Sequence, residues 1–175
     1  MKNYLMKAQK TLVYAVAVVV LALTILYLGF MTQYYILFYD GTFEMFEFYK
    51  LLQVFNKEAF SIALMFVALV VILLAFALHK YRPGLFGLLV ALGVAGFMIT
   101  RSLSLMNVIP KYKRSYLALD FSSMEEYVPT TFVFDAAMVL HSILIGVAII
   151  FIIFSLATFI QRLREGNPII RKLIV

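Results

Sequence analysis

The sequence predicts an all-α integral membrane protein: four transmembrane helices in two hairpins, short external amphipathic helices, and both termini cytoplasmic. Three observations predict it. Four long, almost charge-free apolar runs occupy most of the chain. A helix rises about 1.5 Å per residue, so crossing a hydrocarbon core of about 30 Å takes roughly 20 such residues. Of the 175 residues, 65% are hydrophobic and 14% charged, where a soluble domain carries about 25% charged residues. The charges are also sorted by side. Lys2, Lys7, Lys10, Lys80, Arg82, Arg162, Arg164, Arg171 and Lys172 face Glu165 alone, a surplus of +8. The other connections hold five basic and eight acidic residues, or −3, and Arg101 supplies the last +1 of the net +6. Basic residues gather on the cytoplasmic side of membrane proteins, so the expected location is the plasma (cytoplasmic) membrane.

The whole chain reads as one four-helix domain, with spans near 11–31, 59–79, 85–108 and 134–161. The first span follows Lys2, Lys7 and Lys10, as a signal peptide would. Its uncharged stretch, however, runs from Thr11 to Tyr39 and exits through Phe30, Tyr34 and Tyr35. A signal core is about 7–15 residues and ends at small residues, so an uncleaved span is expected. The connection 32–58 is external. Asp40-Gly41 signals a turn and Thr42 caps a helix from Phe43, in which Glu44, Glu47, Lys50 and Gln53 form one thin polar stripe. Such a helix lies in the membrane interface or covers the bundle. Phe43, Phe46, Glu47, Tyr49 and Lys50 are its candidate partner-binding residues.

The second span ends in His79-Lys80-Tyr81-Arg82-Pro83-Gly84, a tight basic turn. The third carries two ladders of small residues, Gly87, Ala91, Ala95 and Gly96, Thr100, Ser104. Small residues let membrane helices approach closely, which marks this helix as the expected packing centre. The second external connection, 109–133, starts at the Pro110 break. Ser122 with Glu125, and Ser123 with Glu126, fit a capping box for a short helix. The fourth span leaves through Gln161, Arg162 and Arg164 into a cytoplasmic tail, 162–175. A shift of 81 residues lays Tyr35-Ile36-x-Phe38 on Tyr116-Leu117-x-Leu119 and Thr42-Phe43-Glu44 on Ser123-Met124-Glu125. That is the pattern of a parallel duplication about an axis along the membrane normal.

Cysteine is absent, which excludes disulfides, thiolate metal sites and thiol catalysis. Tryptophan is absent too, so 11 Tyr and 17 Phe must supply the interfacial aromatics. No metal-binding or hydrolytic motif and no phosphate-binding glycine loop appears, and no cofactor is expected. The basic surplus reports topology and anionic lipid, not nucleic acid. Arg101 is the one strongly ionic group inside a span, and such a group is by default a candidate functional residue. It sits near the external interface, within reach of headgroups by snorkelling or of Asp135 and Glu126 by pairing. His141 is the other candidate. It lies six residues after Asp135, about 240° around the helix, so the two occupy different faces. The expected function is a non-enzymatic accessory or scaffold subunit. Its partners are membrane lipids and other membrane subunits or a second copy. The alternative is a small transporter or channel with a polar path near Arg101, Asp135 and His141.

Overall fold

A computed structural model describes residues 2–78 and 85–166, with side chains from 7 to 75 and from 85 to 164. The expected turn at 79–84 and the tail at 167–175 lie outside the described residues. Within them the chain is all-helical: α1 (Lys2–Gly29), a 3-10 turn (Phe30–Tyr34), α2 (Ile36–Tyr39), α3 (Phe43–Leu78), α4 (Leu85–Leu117) and α5 (Phe132–Gly166). Four stretches are long and apolar enough to cross a membrane. Among the described residues these four helices are consistent with an integral membrane protein.

Each long helix buries a regular seam. Along α1, the 3-10 turn and α2 the buried residues are Val13, Val16, Val20, Leu23, Tyr27, Phe30, Tyr34 and Leu37, separated alternately by three and four. Along α5, beyond the buried Val133 in its first turn, they are Phe134, Ala137, His141, Leu144, Ala148, Phe151, Ser155 and Thr158, with the same alternation. That spacing is the seam of helices crossing at about +20° with interdigitating side chains. The remaining faces are apolar as well, with Val18, Leu21, Ile25, Ile149 and Ile153 exposed. In water this would aggregate; in lipid it is the required outer surface.

The helices form a ring in which α1 touches α3 and α5, and α4 touches α5 and α3. Phe38 meets Phe46 and Phe30 meets Phe55, so α1 and α3 run antiparallel. Tyr27 meets His141 and Gln9 meets Ser155, so α1 and α5 do the same. The closest packing is α4 on α5 and the sparsest α3 on α4. The first small-residue ladder explains this, since Gly87, Ala91 and Ala95 are buried. In the second, Gly96 is half-buried and Thr100 and Ser104 face outward. Between α3 and α4 bulky pairs such as Phe66–Phe97, with ring centroids 6.3 Å apart, hold the helices apart. The third span is therefore not the centre of packing; α1 and α5 engage their neighbours more fully.

Three local structures differ from the sequence expectation. The capped segment from Phe43 is not a separate interfacial helix. It is the first part of α3, one helix of 36 residues, about 54 Å long. Its start follows the expected chemistry: Met45 N–H donates to Thr42 Oγ1 at 3.4 Å. Gly41 is required here, because a Cβ would collide with the Leu37 carbonyl oxygen and come within 2.9 Å of Met45 Cβ. Gly41→Ala should lower stability by about 1–3 kcal/mol, read as a fall in melting temperature in detergent. An unchanged melting temperature would show that the turn relaxes freely.

Second, α4 continues through Pro110 to Leu117. Proline in a helix removes one backbone bond and costs about 3 kcal/mol, but the turns beyond it are anchored. Tyr112 packs on Phe55 with centroids 4.8 Å apart, and Tyr116 is fully buried. Third, no helix forms over Ser122–Tyr127. Asp120 Oδ1 takes the Ser122 N–H at 2.9 Å, the donor geometry of a turn rather than of a capping box. That N–H and the Ser122 hydroxyl hold the Asp120 carboxyl below its ordinary value. Turns close from Met124 N–H to Phe121 O and from Tyr127 N–H to Met124 O. The two connections therefore have different structures, and the residues aligned by the 81-residue shift occupy unlike positions: Tyr35 is exposed where Tyr116 is buried.

Candidate functional site

The polar groups inside the bundle fall into two layers. The upper layer is built on His141, which the α5 seam turns inward at 1% exposure. Its Nε2 lies 2.8 Å from the Tyr27 hydroxyl of α1, and its Nδ1 lies 3.1 Å from the Ser102 hydroxyl of α4. Tyr27 and Ser102 are equally buried. Both ring nitrogens are engaged, and three helices are tied together at one level. A fully partnered buried network of this kind fixes register between helices.

An aromatic cluster covers that layer. Phe134 packs on Phe30, Tyr34 and Tyr116, with centroid separations of 5.4, 5.3 and 6.0 Å. Above it, Tyr116 and Tyr127 hydroxyls lie 2.6 Å apart, and the Thr130 N–H donates to Tyr116 at 3.2 Å. These bonds clamp the 118–131 connection onto the bundle. Below His141, the buried residues of α5 are Leu144, Ala148 and Phe151. The Tyr27–His141–Ser102 layer is thus sealed by side-chain packing above and below.

The lower layer lies toward the chain ends. The Gln9 amide donates to Ser155 Oγ at 3.2 Å, and the Thr158 hydroxyl donates to the Phe154 carbonyl at 2.7 Å. A small cleft opens here between α1, α4 and α5, lined among others by Gln9, Gly87, Ala91, Ser155, Thr158 and Arg162.

The residues singled out in the sequence are not gathered together. Arg101 is exposed, its guanidinium 5.6 Å from the Phe97 ring centroid. Asp135 is bound elsewhere, accepting from Lys113 Nζ at 2.6 Å and from the Thr131 hydroxyl at 2.8 Å. As an acid in the first turn of α5 it also complements the helix dipole. Glu126 is exposed in the 118–131 connection. On α3, Phe43 is 78% exposed, Lys50 pairs with Glu47 at 3.2 Å, and the same ammonium lies 4.2 Å from the Phe46 ring centroid. Tyr49 is buried against Phe38.

Sequence reasoning passed over Tyr27, Ser102, Gln9, Ser155 and Thr158. One signal was present: His141, Ser155 and Thr158 share the three-four spacing of a single α5 face. Comparison of the chain with protein-family models, with curated proteins and with solved structures gives no significant match.

Proposed function

We propose that this protein is a non-enzymatic four-span accessory or scaffold subunit of a plasma-membrane complex, with both termini cytoplasmic. Its partner docks on the part of the bundle that stands outside the hydrocarbon. The observation that carries this reading is the unbroken α3. At about 54 Å it exceeds a hydrocarbon core of about 30 Å by about 24 Å, roughly four and a half turns. Exposed charges indicate where the excess lies. Phe30 lies against Phe55, which brings Lys57 and Glu58 of α3 beside Tyr27. Arg101 adjoins Ser102 at the same level, and all three charged side chains are exposed. Charges at the bilayer centre are costly, so the outer limit of the hydrocarbon belongs near the Tyr27–His141–Ser102 layer.

Above that level the surface is not uniformly polar. Phe43, Leu51 and Val54 on α3, Tyr39, and Val128 and Phe132 near α5 are exposed. An upright helix presents such groups to the aqueous side, where lipid tails cannot cover them; a second membrane subunit can. The transporter alternative gains no comparable support, because Arg101, Asp135 and His141 point to separate surroundings and His141 has both nitrogens engaged.

Cross-linking in native membranes, followed by purification in mild detergent, tests the reading. The expected result is a recovered complex, either with another subunit or with a second copy, weakened by Phe43→Lys or Val54→Lys while the melting temperature stays within about 2 °C of the parent. A strictly monomeric, partner-free species in native membranes would overturn it.

A further inference from the structure

The lower polar layer has a chemistry of its own. Its cleft sits 18 residues along α1 from Tyr27 to Gln9, about 27 Å, and 14 residues along α5 from His141 to Ser155, about 21 Å. That separation approaches the thickness of a hydrocarbon core of about 30 Å. With the upper layer at one hydrocarbon limit, the cleft lies at the other, at the depth of headgroups in the leaflet on the side of the chain ends.

The cleft is donor-rich. Gln9 gives one amide hydrogen to Ser155 Oγ, which leaves its second amide hydrogen and the Ser155 hydroxyl hydrogen for a further acceptor. Arg162 adds a guanidinium to the lining, and no carboxylate among the described residues lines the cleft. Thr158 spends its hydroxyl hydrogen on Phe154 O and presents only lone pairs. Gly87 and Ala91 form the opposite wall and leave room that any longer side chain would fill. Lys7, Lys10 and Arg164 flank this level in the sequence. The cleft has a volume of about 20 Å³, room for one oxygen-sized group. It suits a single phosphate oxygen entering from the side, with the rest of the headgroup outside.

We infer that this cleft binds the phosphate of an anionic phospholipid. Basic pockets between membrane helices take acidic headgroups, and here the neutral donors of Gln9 and Ser155 share the lining with the Arg162 guanidinium. The inference depends on the chain lying in a bilayer and not on the docking role: a monomeric, partner-free protein would leave it standing.

The experiment is native mass spectrometry on the full chain, purified in detergent with phosphatidylglycerol or phosphatidylcholine. The unmodified protein should retain about one phosphatidylglycerol through detergent exchange and lose phosphatidylcholine, a preference of about tenfold. Gly87→Leu fills the cleft and Gln9→Leu with Ser155→Ala removes its neutral donors, all without changing net charge. Either should cut phosphatidylglycerol retention about tenfold. Equal retention of the two lipids by the unmodified protein overturns the inference, and that comparison needs no variant to fold. Full retention by a variant with unchanged helix content also overturns it, since the lipid would then sit elsewhere. Displacement of the lipid by millimolar inorganic phosphate would reassign the cleft to free anions and overturn the lipid assignment.

Discussion

Replacing His141 by leucine is expected to lower the unfolding free energy by about 2–4 kcal/mol. Hydrogen bonds between membrane helices average only about 0.6 kcal/mol, so the two lost bonds account for about 1 kcal/mol of this. The rest is the orphaned Tyr27 hydroxyl, which lies in packed interior at 1% exposure and has no other hydrogen-bond partner among the described residues. Ser102 suffers less, because a serine in a helix can turn its hydroxyl to the carbonyl four residues earlier. The asymmetry has a consequence: Tyr27→Phe and Ser102→Ala combined with His141→Leu should recover most of the loss, since no buried polar group is then left unpaired. Thermal unfolding of the parent, the single variant and the triple variant in one detergent measures both effects. If the single variant shifted by less than about 0.5 kcal/mol, the layer would not be holding α1, α4 and α5 in register.

Phe134→Ala is expected to cost more, about 3–5 kcal/mol. The ring is fully buried where α1, α4 and α5 meet, touching Phe30, Tyr34 and Tyr116. These neighbours are large and braced against one another, so the site collapses poorly and the cavity term is nearly undiminished. The damage should extend upward. Tyr116 positions the Tyr127 hydroxyl and the Thr130 N–H, so loosening it frees the 118–131 connection. A glutamate-specific protease should then cut after Glu125 or Glu126 much faster than in the parent. Phe132→Ala, two residues away and 69% exposed, is the control, with an expected change within about 0.5 kcal/mol. Equal effects of the two substitutions would show that the aromatic cluster is not a packed core.

The legible part of the fold was the part set by length and composition. Four runs of about 20 apolar residues have few alternatives in a bilayer, because a spanning backbone must satisfy its own hydrogen bonds. Local turn chemistry was legible at Asp40-Gly41-Thr42, where the signal and the steric requirement coincide. It failed at Ser122 and Ser123, where the capping-box pattern was present but Asp120 captured the Ser122 N–H first. It failed again at Pro110, where Tyr112 and Tyr116 hold two further turns of α4 that local propensity disfavours.

The inward faces were the least legible. In a soluble helix, polarity contrast between the two sides reveals the core. Here lipid-facing Val18, Ile25 and Ile153 are as apolar as buried Val16, Leu23 and Phe151, and the contrast vanishes. What marked the interior was its few polar residues, and they become informative only once the three-four spacing joins His141 to Ser155 and Thr158. Asp135 and Arg101 drew attention because they are charged, yet one is claimed by Lys113 and the other faces outward over Phe97.

By itself, then, the sequence determined the helical class, the number of apolar helices and the segregation of charge, because these follow from transfer energies summed over long segments. Only the tertiary structure decided that Tyr27, His141 and Ser102 form one layer, that Gln9 meets Ser155 beside a donor-lined cleft, and that α3 runs unbroken past Asn56. Those outcomes depend on which side chains from different helices arrive at the same height, and contacts 39, 114 and 146 residues apart in the chain are settled by packing between helices rather than by any local preference.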